Sequence, residues 1–162
     1  MKILNDFSVS VTKSLAEIDP NFYDLPGLVV CGTHKPHDVE LMINEIEKAR
    51  LEGLPFLGIC FGHQLASIEH ARNVLNIKDA TSEEFATEGV FIVKKLPKLN
   101  VGLRDGESYW NNYEVDPEFE KNWQKSDNFI TVQFHPEYQS SIDKPHPILV
   151  DFINKCKQYN AK

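Results

Sequence analysis

The sequence contains few cysteines, and they lie far apart. Cys31, Cys60 and Cys156 are the three cysteines among 162 residues. An odd number at such wide spacing does not suit the disulfide framework of small secreted domains, and free thiols are typical of a reducing compartment. We therefore expect a protein of the cytoplasm.

The chain also lacks a long apolar segment and an excess of positive charge. No apolar run approaches the roughly 20 residues that span a bilayer, and the N-terminus has no signal-peptide core because Asp6 interrupts it. Seventeen Lys and Arg against 24 Asp and Glu give a net charge of −7, which repels phosphate backbones and anionic lipids. We therefore expect neither nucleic acid nor a membrane as a partner.

What is present is typical of a folded domain. Hydrophobic residues make up 41% of the chain, close to the average of soluble globular proteins, so extensive disorder is excluded. A chain of 162 residues can bury a sizeable core but is too short for two ordinary domains. Neither a repeat nor a linker-like stretch interrupts it, so we expect residues 1–162 to form one domain.

The first half alternates between short apolar runs and helical periodicity. The pattern predicts strands at 27–31 and 54–59, a helix at 39–51 with Asp38 as its N-cap, and a second helix from Gly62 to Leu75. Strand, helix, strand and helix within about fifty residues are typical of βαβ units. We therefore predict a flavodoxin-like α/β fold, with a mostly parallel sheet flanked by helices on both faces.

The second half and the N-terminus are less regular. We predict strands at 89–94 and 129–134, turn chemistry between Gly102 and Gly106, and a strand opening near Tyr109. Residues 147–159 carry apolar positions on one helical face and predict a closing helix. The first 26 residues are ambiguous and are interpreted as one strand and a short helix.

Cys60 lies between two glycines at the end of a predicted buried strand. In Gly58-Ile-Cys60-Phe-Gly62 the glycines permit a sharp strand-to-helix turn, which exposes the central side chain at the edge of the sheet. The positive end of the following helix favours a thiolate, the nucleophilic form of cysteine. A buried cysteine between two packing glycines is the alternative, but the context favours a nucleophile.

A nucleophilic cysteine needs a base, and the base needs a group that orients it. His135 and Glu137 follow the predicted strand at 129–134, and Pro136 between them favours a turn that brings the carboxylate to the imidazole. A surface turn is the alternative for this motif taken alone. Together with Cys60, the motif predicts a Cys-His-Glu catalytic set.

The residues around Cys31 suggest a second kind of site, a metal site. Together with His34 and His37, Cys31 places three zinc-type ligands within seven residues. The two-residue gaps in a proline-containing loop are not a standard zinc arrangement, and a structural site needs a fourth ligand. We expect no metal and no cofactor; Cys31 is interpreted as core, and the two histidines as the rim of the cleft.

The two catalytic motifs together resemble class I glutamine amidotransferases. Gly58 to Gln64 and Val132 to Tyr138 carry the resemblance, and further stretches are similar to the amidotransferase domain of CTP synthase, including Ala71 to Leu75 and Tyr113 to Val115. These stretches keep the family's order between about residues 27 and 155. The resemblance therefore implies a glutaminase-type enzyme acting on glutamine or another γ-glutamyl amide, with an ammonia-accepting synthase as partner.

The resemblance also implies roles for single residues. It implies that Cys60 forms a γ-glutamyl thioester, His135 carries the proton and Glu137 orients His135. Gln64, Glu84 and Asn112 occupy positions that resemble the substrate-binding residues. Backbone N–H groups near Phe61 and Thr33 resemble the oxyanion hole.

Two positions depart from the family's pattern. Thr33 stands in a loop that is rich in glycine in the family, and Asn112 stands where the family has an arginine that contributes to binding the glutamine carboxylate. An amide can hydrogen-bond a carboxylate but does not neutralise it. Three hypotheses therefore remain open: a glutaminase, a hydrolase or transferase of another γ-glutamyl compound, and a weakly active or inactive regulatory module.

Overall fold

Four short strands form a parallel sheet at the centre of the molecule. The computed structural model describes residues 1–159. The strands are β1 (Lys2–Leu4), β2 (Leu28–Val30), β3 (Phe56–Ile59) and β7 (Phe129–Val132), in the spatial order β1-β2-β3-β7. All three neighbouring pairs are parallel, so the carboxyl ends of the strands meet at one edge.

Helices cover both faces of this sheet. α2 (Val39–Glu52) and α3 (Phe61–Asn73) contribute to one apolar cluster, whereas α1 (Ser8–Ile18) and α5 (Pro147–Gln158) contribute to the other. The strands β2 and β3 are buried along their whole length, because successive side chains enter opposite clusters. The sequence prediction of a parallel α/β fold with helices on both faces is confirmed.

A second sheet of three strands adjoins the first. It contains β4 (Ala80–Ser82), β5 (Val90–Arg104) and β6 (Glu107–Val115). β5 and β6 form a long antiparallel hairpin, whose turn at Asp105 and Gly106 has positive φ at both residues, the geometry that suits a tight hairpin. The register shifts between Lys95 and Asn100, a stretch that contains Pro97, which has no N–H for the ladder.

The structure differs from the sequence predictions at three places. β5 runs well beyond residue 94, so Gly102 lies within a strand and the turn itself is shorter than expected. Asp38 precedes α2 but adopts a left-handed conformation, and its side chain forms no capping hydrogen bond. The helix α4 (Pro117–Asn122) was not predicted; Asp116 caps it by accepting from two backbone N–H groups.

Within residues 1–159, no helix combines the length and apolar character needed to cross a membrane.

Two glycines allow α3 to begin directly against the strands. A Cβ at Gly62 would overlap the carbonyl oxygen of Val30 in β2, and a Cβ at Gly58 would lie 2.9 Å from the backbone of Gly62. Backbone atoms cannot move aside as a flexible side chain can. The start of α3 therefore requires glycine at both positions.

The variant Gly62→Ala is expected to lower the free energy of unfolding by about 3 kcal/mol, because its methyl group overlaps backbone. Urea denaturation followed by circular dichroism measures the loss. Gly53→Ala is the control: no neighbour lies within 4 Å of a Cβ there, so only its positive φ costs about 1 kcal/mol. Equal losses in the two variants would contradict the packing argument.

Candidate active site

Cys60 belongs to both the central sheet and the helix that follows. Its N–H donates to the carbonyl of Val132 in β7 at 2.9 Å, and its own carbonyl accepts from the N–H of Gln64 in α3 at 3.1 Å. Satisfying both bonds forces a turn within one residue, and Cys60 adopts φ 54° and ψ −103°. Such a conformation costs about 1–3 kcal/mol for a residue with a Cβ and is typical of functional sites.

The three thiols differ in their surroundings. Cys60 is 9% exposed and borders a cavity, whereas Cys31 and Cys156 are fully enclosed in the core. Burial raises the pKa of the Cys156 thiol to about 12, and burial together with the charge of Glu137 raises the pKa of Cys31. Neither core thiol is therefore suited to act as a nucleophile at neutral pH.

His135 and Glu137 lie together directly after β7. The Glu137 carboxylate Oε2 is 3.3 Å from His135 Nδ1, and both side chains are buried. Pro136 begins a short 3₁₀ turn over Pro136–Gln139, which returns the chain so that residues 135 and 137 face each other. The predicted contact between this imidazole and carboxylate is present.

Aromatic rings hold the imidazole of His135 in place. Tyr138 stacks on it with ring centroids 4.6 Å apart, and Phe7 approaches it edge-on at 6.0 Å. Gly32 leaves space for Phe7 and for the imidazole, since a Cβ there would lie 2.5 Å from Phe7 and 3.3 Å from the His135 ring. The ring is thus fixed by packing as well as by Glu137.

Neighbouring groups raise the pKa of His135. Burial alone lowers this pKa, but hydrogen bonding and charge interactions with Cys60 and Glu137 outweigh burial and raise the pKa from 6.5 to about 9. Hydrogen bonding to Cys60 is thus one of the causes that raise this pKa.

A cavity of about 210 Å³ opens beside Cys60. Its walls include every residue that the resemblance implied for substrate binding and the oxyanion hole: Thr33, Phe61, Gln64, Glu84 and Asn112. Phe7, His34 and the strand β6 close the remaining sides. The sequence-predicted residues are therefore brought to one place, although they span eighty positions of the chain.

The strand β6 approaches the site through its backbone. The carbonyl of Trp110 lies 3.8 Å from Cys60 Sγ, and the carbonyl of Tyr113 accepts from the Gln64 side chain at 2.9 Å. Asn111 is buried and donates to the same Tyr113 carbonyl, whereas Asn112 is exposed at the cavity. The Asn111 amide is thus engaged by protein groups, whereas the Asn112 amide has no partner among residues 1–159.

Gln133 is a site residue that the motifs did not single out. Its amide nitrogen donates to Cys60 Sγ at 3.5 Å, and its carbonyl oxygen accepts from Gln64 at 3.2 Å. Gln133 thus joins the sulfur to a residue of the cavity wall. Its place in the sequence could have indicated this role, because Gln133 directly follows β7 and lies two residues before His135.

The side chains of Cys31, His34 and His37 do not converge on a metal site. Cys31 is in the core, His34 packs against Phe7 at the cavity, and the imidazole of His37 pairs with Asp6 and Asp38 outside the cavity. Among residues 1–159, no group of three or more His, Cys, Asp or Glu is arranged to hold a metal ion.

The pH dependence of His135 follows from its raised pKa. Because the folded-state pKa of about 9 exceeds the reference value of 6.5, the protonated ring contributes stability below pH 6.5 that is lost as pH rises through about 9.

The variant Glu137→Gln removes one cause of the raised His135 pKa and is expected to lower this pKa. Nuclear magnetic resonance titration of the His135 ring measures the midpoint. An unchanged midpoint would show that Glu137 does not raise the pKa of His135.

Gln133→Met is expected to slow alkylation of Cys60 by iodoacetamide about three- to tenfold at neutral pH, because it removes an N–H donor from the sulfur. Mass spectrometry of the modified peptide follows the rate. Gln139→Met is the matched control, since the Gln139 amide binds Ser108 instead. If both variants react at the same rate, Gln133 does not stabilise the thiolate.

The sequence matches a known protein family and is similar to several CTP synthases. Residues 6–155 match the family model of glutamine amidotransferase class-I. The CTP synthase of Rickettsia rickettsii (strain Sheila Smith) is 29% identical over 198 aligned positions, which cover 88% of this chain and 37% of that protein. The CTP synthase of Methanoculleus marisnigri is 30% identical, covering 83% of this chain and 34% of that protein. The chain thus spans little more than a third of these relatives.

A solved structure has the same fold. The Trypanosoma brucei CTPS glutaminase domain with bound acivicin superposes with a TM-score of 0.77, covering 100% of this chain and 96% of that one, at 18% identity. This likeness concerns the fold, whereas the family model covers nearly the entire sequence. The chain therefore belongs to the class I glutamine amidotransferase family.

Proposed function

We propose that this protein is a glutaminase-type amidotransferase of the cytoplasm that hydrolyses a γ-glutamyl amide through a thioester on Cys60. The observation that supports the proposal is that Cys60 lines the cavity, while His135 lies 3.3 Å from the Glu137 carboxylate and interacts with Cys60. Family membership supports the reaction class, and the strained backbone of Cys60 supports its role as nucleophile.

The first step is attack by the Cys60 thiolate on the γ-carbonyl carbon. An S–C bond forms, and the carbonyl electrons move to the oxygen. As the tetrahedral intermediate collapses, the C–N bond breaks and His135 gives its proton to the departing ammonia. Glu137 holds the imidazole in the orientation that this transfer requires.

The oxyanion is assigned to backbone N–H groups. Phe61 is the first residue of α3, and an N–H at a helix start has no partner within the helix. We assign a second donor to the backbone of Thr33, whose hydroxyl is tied to Asp6 at 2.7 Å so that the loop is held at the cavity. Donors fixed in this way stabilise the developing negative charge.

Substrate recognition is assigned to Gln64, Glu84 and Asn112. Both N–H bonds of the Gln64 amide group point to protein acceptors, on Tyr113 and Gln133, so its carbonyl oxygen remains for a ligand. The Glu84 carboxylate suits an α-ammonium group, and the Asn112 amide offers hydrogen bonds without charge.

Water completes the reaction by cleaving the thioester, with His135 acting as base. The products are the γ-carboxylate and the regenerated thiol. We propose that the ammonia passes to a separate synthase or is released to water. A reaction on a γ-glutamyl compound other than glutamine is the second candidate, which the neutral Asn112 at the cavity favours.

A diazo-ketone analogue of glutamine tests the proposal. Such a compound places an electrophilic carbon where the γ-amide would lie, so it is expected to label Cys60 and abolish turnover. Cys60→Ala is expected to remove labelling and to reduce turnover by about 10⁴-fold or more, with unfolding free energy nearly unchanged.

Cys156→Ala is the control, since this thiol lies in the core and the label should persist in the variant. A folded protein that neither binds the analogue covalently nor releases ammonia would support a regulatory module instead of an enzyme.

A further inference from the structure

The cavity wall holds a carboxylate but no lysine or arginine among the described residues. Among its lining residues within the described chain, Glu84 is the acidic one, and neither lysine nor arginine occurs. His34 is the lining side chain that can acquire a positive charge outside the catalytic pair. Asp6 adds a negative charge directly behind Thr33, with which it shares a hydrogen bond.

The Glu84 carboxylate lacks a counterion. Within residues 1–159 it forms neither an ion pair nor a side-chain hydrogen bond; only its backbone N–H is engaged, donating to the Ser82 hydroxyl at 3.1 Å. The side chain is half-buried, and burial raises its pKa. A ligand that brings a positive charge to this wall compensates the carboxylate, whereas a ligand that brings a second negative charge does not.

Asn112 determines the polarity of the part of the wall that β6 forms. It lies on β6 as an exposed residue, and its side chain has no hydrogen-bond partner among the described residues. Its amide can donate to one oxygen and accept from one N–H group, which suits another amide. A carboxylate held there would not have its charge neutralised.

Free glutamine brings both an ammonium and a carboxylate to such a cavity. The ammonium suits Glu84, but among the described residues neither lysine nor arginine lines the cavity to pair with the carboxylate. A glutamine derivative whose α-carboxyl is bound as an amide keeps the ammonium and the reactive γ-amide, and it replaces the negative charge by groups that an asparagine can pair.

From this arrangement we infer that the substrate is a glutamine α-amide, with a free α-amino group facing Glu84 and an amide-bonded α-carbonyl facing Asn112. The inference rests on the proposed function and names its substrate class. The chemistry is unchanged: Cys60 forms the S–C bond to the γ-carbon, the γ-amide leaves as ammonia with the proton of His135, and water then releases the γ-carboxylate while the α-amide stays intact.

L-Glutaminamide, isotope-labelled at its side-chain nitrogen, distinguishes this substrate class from glutamine. The wild-type protein is expected to release labelled ammonia with a kcat/KM at least about tenfold higher than with glutamine labelled at the same atom, since one unpaired charge is avoided. Product chromatography must show isoglutamine. Calorimetry on Cys60→Ala is expected to show the same preference in Kd, so recognition is measured apart from turnover.

An added arginine at the assigned wall should reverse the preference. Asn112→Arg places a cation at the cavity and is expected to shift the ratio of the two kcat/KM values toward glutamine by about tenfold or more. Leu103→Arg is the matched control, because this side chain is 67% exposed on the neighbouring strand and does not line the cavity. It is expected to leave the ratio unchanged.

The outcomes separate the inference from the proposed function. Turnover of glutamine equal to or faster than that of L-glutaminamide would overturn the substrate class and leave the glutaminase reaction standing. Tight binding of L-glutaminamide without release of ammonia would overturn the glutaminase reaction and support the recognition argument. Equal shifts in Asn112→Arg and Leu103→Arg would exclude Asn112 as the residue that determines specificity.

Discussion

The site depends on one residue that satisfies two secondary structures at once. Cys60 ends the hydrogen-bonding ladder of β3 with its N–H and begins α3 with its carbonyl, and no residue is left between them to relax the turn. The side chain is consequently forced outward at the carboxyl edge of the sheet. Gly58 and Gly62 permit this turn, because only glycine lets the helix start so close to the strands.

Local motifs predicted the turns on which Cys60, His135 and Glu137 lie. The glycine spacing around Cys60 and the proline between His135 and Glu137 are features of a few adjacent residues, and each determines a turn in its own segment. The order of strands and helices predicted a parallel sheet, and a parallel sheet brings segments that are distant in sequence to one edge.

Contacts between segments could not be predicted in the same way. Phe7 and Tyr138 hold the imidazole, and Gln133 reaches the sulfur, yet none of them belongs to a motif whose spacing reveals the contact. The length of β5 was missed because Pro97 and Gly102, which normally interrupt strands, lie at a register shift and at an open position of a hairpin. Pairing with β6 overrides the intrinsic tendency of these two residues to interrupt a strand.

The hairpin contacts the segments of His135 and Gln64 in part through main-chain atoms. The carbonyl of Ser108 accepts from the His135 N–H at 2.8 Å, and that of Tyr113 accepts from Gln64. Any amino acid presents the same carbonyl, so these two hydrogen bonds do not depend on the side chains of Ser108 and Tyr113. A substitution at Tyr113 can therefore alter the cavity wall while the hydrogen bond from Gln64 stays in place.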